Sequence, residues 1–167
     1  MISLKSILSS PFKGERGGLR LLHRHGYGIQ SPWLFTLVTE VIPAKEEYYA
    51  YTSLPPVEGW RTRDLRLLLR LANHFQPSEI QVINLPAHLS QWLSAGCRKA
   101  LIRITSDASI PRILMTRPDG SQCLITPALL SHLWQETSAS ADAITLETRR
   151  LGLSYTGLNI PSQHFKI

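Results

Sequence analysis

The chain has few of the residues that directly announce a chemistry. Its two cysteines, Cys97 and Cys123, are isolated and have no C-x-x-C spacing. That pattern fits buried thiols in a reducing compartment better than a disulfide framework or a zinc site. No apolar run approaches the roughly 18 residues that cross a bilayer. Met1 to Pro11 alternates Ile2, Leu4, Ile7 and Leu8 with Lys5 and serines, and reads as a short amphipathic arm, too short and polar for a secretory leader. The expectation is a soluble, cytoplasmic protein with no membrane partner. No phosphate-binding P-loop, no H-E-x-x-H helix and no G-x-S-x-G elbow occurs, and Ser106-Asp107 has no placed histidine. His23 and His25 lack a third ligand nearby and read as part of a solvated basic segment. His74 and His88 read as surface or cap histidines. Neither a catalytic residue nor a metal ligand is expected.

Acidic residues are outnumbered, 12 against 18 lysines and arginines, which gives a formal charge of +6. An excess of this size suits acidic partners but also serves solubility alone. No basic run or nucleic-acid motif turns it into a specific expectation. The most consequential absence is local. Ile80 to Ile83 reads as a buried strand and His88 to Ala95 as a helix, yet the turn Asn84-Leu85-Pro86-Ala87 between them contains no glycine. A nucleotide-type site at a strand–turn–helix junction needs glycines so that the backbone can turn sharply and approach the ligand.

What is present is an ordinary globular composition. The 167 residues are 43% hydrophobic and 18% charged, enough for one core. Ser31-Pro32 is a helix start, a serine cap followed by proline at the first helical position. Leu34, Leu37, Val38 and Val41 then repeat at helical spacing through Ile42, and Pro43 ends the helix. Tyr48, Tyr49 and Tyr51 follow in a loop closed by Pro55-Pro56. A second helix is predicted over Thr62–Phe75, with Leu65, Leu68, Leu69, Ala72 and Phe75 facing a core and Arg63, Arg66 and Arg70 on another face. Beyond strand Ile80–Ile83 and helix His88–Ala95, a strand is predicted at Ala100–Thr105 and a short helix near Ile110–Met115. A turn at Pro118-Asp119-Gly120, a strand at Gln122–Ile125 and a helix over Pro127–Ser140 follow. The last two strands are Ala143–Thr148 and Leu153–Leu158. Alternating strands and helices imply an α/β fold with a parallel sheet. The link Arg149-Arg150-Leu151-Gly152 is too short for a crossover, so the last pair must be antiparallel.

Particular residues resemble a family. Arg24-His25-Gly26-Tyr27-Gly28-Ile29-Gln30-Ser31-Pro32-Trp33, then Tyr48-Tyr49-Ala50-Tyr51, resembles the R-K-G-H-G-I-H-S-P-F and Y-Y-A-F segments of a bacterial group of class I S-adenosylmethionine-dependent methyltransferases. Leu67 to Pro77 is similar to that group's R-L-L-F-R-L-V-N-Y-F-x-P helix, and Leu151 to Phe165 to its closing hairpin and Q-H-F tail. The resemblance implies a truncated Rossmann-like methyltransferase fold of five strands, in the order 1-4-5-7-6, ending in the antiparallel hairpin. In that order Ala100–Thr105 plays the fourth strand, the second and third strands are missing, and Ile80–Ile83 becomes an edge. An arm and helical extension over residues 1–60 and an α/β domain over 61–167 would pack as one globular unit.

The family's functional residues transfer badly. In register with its E-x-G-x-x-x-G turn stand Val82, Asn84 and His88, and Thr105 stands where an acidic strand end is expected, with Asp107 close by. Tyr27 and Gln30 replace two family histidines. These degenerate cofactor positions imply an inactive methyltransferase-like protein that does not take S-adenosylmethionine and serves as an interaction or scaffold module. Its partner would be another protein or a second copy, bound through the edge at Ile80–Ile83. One alternative is an active methyltransferase whose site is atypical or completed by a partner. Another is a basic module for nucleic acid or an acidic partner, using Arg63, Arg66 and Arg70 with Tyr48, Tyr49 and Tyr51. Guanidinium forks suit phosphates, though a solvated helix face is the favoured reading of such a stripe.

Overall fold

The computed structural model describes residues 25–26, 28–127, 129 and 131–167. The amphipathic arm, His23 and Tyr27 lie outside the described residues. Helix α1 (Pro32–Thr36) starts where the sequence places it: Ser31 Oγ accepts from Leu34 N at 3.4 Å, and proline occupies the first turn. Its continuation, Leu37–Val41, widens to a π-helical turn that Ile42 N closes onto Leu37 O at 3.0 Å. The tyrosine segment is not all loop, because Ala50–Ser53 forms a short helix, α2, that buries Tyr51. Helix α3 (Thr62–Phe75) has the predicted bounds. It ends at Gln76, which takes the left-handed conformation at φ 53°, and Pro77 prevents its extension.

Seven strands follow, interrupted by two helices: β1 (Glu79–Ile83), α4 (Leu89–Gly96), β2 (Leu101–Thr105), β3 (Arg112–Thr116), β4 (Gln122–Thr126), α5 (His132–Ala139), β5 (Ile144–Glu147), β6 (Gly152–Thr156) and β7 (Gln163–Lys166). They form one mixed sheet in the order β2-β1-β3-β4-β6-β5-β7. Only β1–β2 and β5–β7 are parallel, and every other neighbouring pair is antiparallel. The α/β class and the antiparallel hairpin at β5–β6 are as expected, and so is the local order β4-β6-β5.

Four expectations are corrected. The five-strand order 1-4-5-7-6 gives way to seven strands. Residues 101–105 lie on the outer side of β1, so β1 is an interior strand and, among the described residues, the edges are β2 and β7. The segment Ile110–Met115 is not helical. Arg112–Thr116 alternates half-buried and fully buried positions, with Ile113 opposite Val82 and Met115 opposite Ile80. A short apolar run cannot distinguish helix from strand by itself. Here antiparallel ladders to β1 on one side and β4 on the other decide the matter, and they replace the parallel pairing expected ahead of the final hairpin. The helix expected over Pro127–Ser140 begins only at His132, where Ser131 Oγ caps Trp134 N at 3.3 Å.

One core joins the helices to the sheet. Leu34, Leu37 and Val38 of α1, Tyr51, the apolar stripe of α3, Ile80 and Val82 of β1, and Leu153 and Tyr155 of β6 all belong to it. The helical extension thus shares its core with the α/β part. Side chains alternate across a strand, so Gly152, out of phase with Leu153 and Tyr155, faces the other side. There a Cβ would overlap the Trp134 indole of α5.

Candidate functional site

The carboxyl ends of β1, β2, β4 and β5 lie at the same end of the sheet, because the pairings give these strands one direction. In open α/β sheets this is the end where ligands bind. Three of the sequence-derived positions do meet here. Thr105 and Arg112 both stand in register with Ile83, one on either side. The six residues 106–111 must therefore arch over the end of β1. Asn84 ties them down. Its backbone N donates to Thr105 O at 3.0 Å, its Nδ2 to Asp107 Oδ1 at 3.0 Å and to Ser109 O, and its Oδ1 accepts from Asp107 N at 2.8 Å. Asp107 also accepts from both the backbone N and the hydroxyl of Ser109. Those Ser109 donors are the main reason its carboxyl is held below the usual value.

Asn84 sits at φ 53°. Asparagine is among the few side chains that tolerate this left-handed conformation, so it makes the sharp turn that the family motif assigns to glycine. The side chain that replaces the glycine hydrogen is spent on the arching loop. Val82 is wholly buried in the core, His88 is exposed before α4, and Thr105 contributes its carbonyl rather than a carboxylate. The position over β1 is occupied by the loop, and the polar groups there are bonded to one another.

The arginine stripe does not act as a unit. Arg70 reaches back to α1, donating from Nε to Val41 O at 2.8 Å and from Nη2 to Ile42 O at 3.1 Å. It thereby satisfies carbonyls that a helix end leaves without partners. Arg66 lies 4.7 Å over the Tyr51 ring and pairs with Glu47 at 3.2 Å. Tyr51 is buried and stacks on Trp92, while Tyr48 and Tyr49 are exposed. Only Arg63 is left open to solvent without a partner among the described residues.

Arg63 faces a cleft of about 440 Å³ at the same end of the molecule, between the end of α1, the start of α3 and the β5–β6 turn. Six lysines and arginines line it (Lys45, Arg61, Arg63, Arg70, Arg149 and Arg150), against one acidic side chain, Asp64, and Ile167 also borders it. Arg150 Nε pairs with Asp64 at 3.3 Å. Val38, Ile42 and Leu67 supply an apolar floor. Sequence reasoning missed Arg61, Arg149 and Lys45. Arg149-Arg150 read only as a hairpin link, and nothing local announces that it lies beside the start of α3.

Other candidates carry no chemistry. Burial pushes the Cys123 thiol up to about 12, so it stays protonated and is no nucleophile. The His74 ring packs on Trp33, tilted by 30° with the ring centres 5.0 Å apart. Among the described residues no group of three or more histidine, cysteine or acidic side chains could hold a metal ion, and no helix is long and apolar enough to cross a membrane. Comparison with protein-family models, curated proteins and solved structures finds no match to this chain.

Proposed function

We propose that this chain is a non-catalytic, methyltransferase-like binding module: a degenerate, Rossmann-like relative of the S-adenosylmethionine-dependent enzymes in which the cofactor end of the sheet is closed. The reading joins the residue resemblance at 24–51, 67–77 and 151–165 to one observation, the 106–111 loop held by Asn84 across the carboxyl end of β1. A cofactor laid there would have to displace the loop and strip Asn84 and Asp107 of four mutual or shared hydrogen bonds. An interaction role also draws support from the outer edge of β2, where Leu101 is 56% and Ile104 50% exposed. Among the described residues no strand pairs with this edge, and an edge with apolar side chains is the kind of surface to which other chains add.

Isothermal titration of the whole chain with S-adenosylmethionine and with S-adenosylhomocysteine tests the reading. No saturable heat is expected for either ligand at concentrations up to about 1 mM. A micromolar Kd for either one would sink it and restore the enzyme alternative.

A further inference from the structure

The cleft beside Arg63 has no part in closing the strand ends, and its chemistry points elsewhere. Of its six cations, two are already engaged: Arg70 on the carbonyls of Val41 and Ile42, and Arg150 on Asp64. Lys45, Arg61, Arg63 and Arg149 are exposed and form no ion pair or side-chain hydrogen bond among the described residues. Four unpaired positive charges around one concavity repel each other, and an anion placed among them relieves that repulsion. A fifth source of positive potential is the start of α3. Arg61, the residue before it, gives no side-chain cap, and the N–H groups of Thr62 and Arg63 precede the first bonds of the turn, which Asp64 N and Leu65 N make to Arg61 O. Guanidinium groups engage phosphate oxygens in paired hydrogen bonds, and three of the four free cations are arginines.

The shape narrows the class of ligand. About 440 Å³ is the size of a small-molecule pocket, and the charges sit around a recess rather than along a broad face that a nucleic-acid strand could follow. Below the charged rim lie Val38 and Leu67, both almost fully buried, with Ile42 beside them. We propose that this cleft binds a small organic diphosphate, with its phosphates held by Arg61, Arg63 and Arg149 and its apolar or aromatic body resting on Val38, Ile42 and Leu67.

The test uses the whole chain and three probes: inorganic pyrophosphate, ADP, and a twelve-residue oligothymidylate. Calorimetric titration is expected to show saturable binding of pyrophosphate with a Kd on the order of 100 μM, and of ADP at least as tight. Arg63→Glu with Arg149→Glu should weaken both by about tenfold or more, the loss of more than one phosphate contact. Both residues are exposed, and circular dichroism checks that the variant stays folded. Lys45→Ala with Arg61→Ala supplies an independent second pair, expected to weaken binding in the same direction. Arg98→Glu with Lys99→Glu changes the total charge equally, away from the cleft, and should alter the Kd by less than about twofold. Absence of saturable pyrophosphate binding at several millimolar would overturn the proposal. So would equal weakening by the cleft pair and the Arg98–Lys99 pair. Tight binding of the oligothymidylate without binding of pyrophosphate would overturn it in favour of a nucleic-acid surface.

Discussion

His74 shows how one side chain couples this fold to pH. Its ring packs on Trp33, and its pKa is held below the ordinary histidine value, first by burial and then by the positive charge of Arg117, with Glu40 opposing. The unfolded chain therefore takes up this proton more readily than the folded one. The contribution of the neutral ring to stability is complete above the unfolded value of about 6.5 and is lost as pH falls below it. Between pH 7.5 and 5.5 the urea midpoint should drop, and His74→Gln should flatten that slope. An unchanged slope in the variant would assign the effect to another group. The depressed carboxyls of Asp107 and Asp119 act in a lower window, because their contribution is present above about 3.8 and disappears only on further acidification. Asn84 is the other telling residue. Its place at the turn after β1 was legible in the sequence, and so was its nearness to Thr105 and Asp107. Its left-handed backbone and its grip on the loop were not, because both depend on β3 lying next to β1.

At the level of elements, the contact between α3 and α4 is the most exacting. A Cβ at Gly96 would overlap the Leu69 carbonyl oxygen and approach the Ala72 Cβ to 2.9 Å. The two helices meet where both lack bulk, and one of the blocking atoms is backbone, which cannot rotate away. Gly96→Ala is expected to destabilise the protein by about 1–3 kcal/mol, the usual cost of overpacking, read as a lower urea midpoint at unchanged m-value. A loss below about 0.5 kcal/mol would mean that the helices separate freely at this point. Elements whose burial follows one period, such as α1 and α3, were legible from their apolar spacing, with the Ser31 cap marking the start of α1 and Pro77 the end of α3. β3 was not, because Ile113-Leu114-Met115 is apolar at every position. β7 was missed for the opposite reason: Gln163-His164-Phe165-Lys166 carries one apolar side chain, and its parallel ladder to β5 supplies the rest.

For the whole molecule, the sheet order sets a gradient of protection. Ile80 and Val82 lie between β2 and β3 and are fully buried, whereas β2 pairs on one side only and is exposed along most of its length. Native-state hydrogen exchange should show β1, β3 and β4 opening only with global unfolding, and β2 and β7 exchanging faster by local opening. Protection of β2 equal to that of β1 in the monomer would mean that something covers this edge. The same order explains why the cationic cleft was illegible. Arg61 and Arg63 begin α3, Arg149 lies in the last hairpin, and Lys45 follows α1, so they share a surface only once the core has assembled.

The sequence by itself determined what depends on neighbours along the chain. Ser31-Pro32 started a helix, the spacing of Leu65 to Phe75 drew out another, and the short link at Arg149 to Gly152 required an antiparallel pair because no crossover fits it. The tertiary structure decided what depends on distant partners: which side of β1 the strand at Leu101 takes, and which arginines are spent. Arg63, Arg66 and Arg70 occupy equivalent positions in the sequence pattern. One meets the carbonyls at the end of α1, one meets Tyr51 and Glu47, and one is left facing the cleft. A guanidinium takes whatever partner the fold brings within hydrogen-bonding reach, and that reach is set by packing rather than by helical spacing.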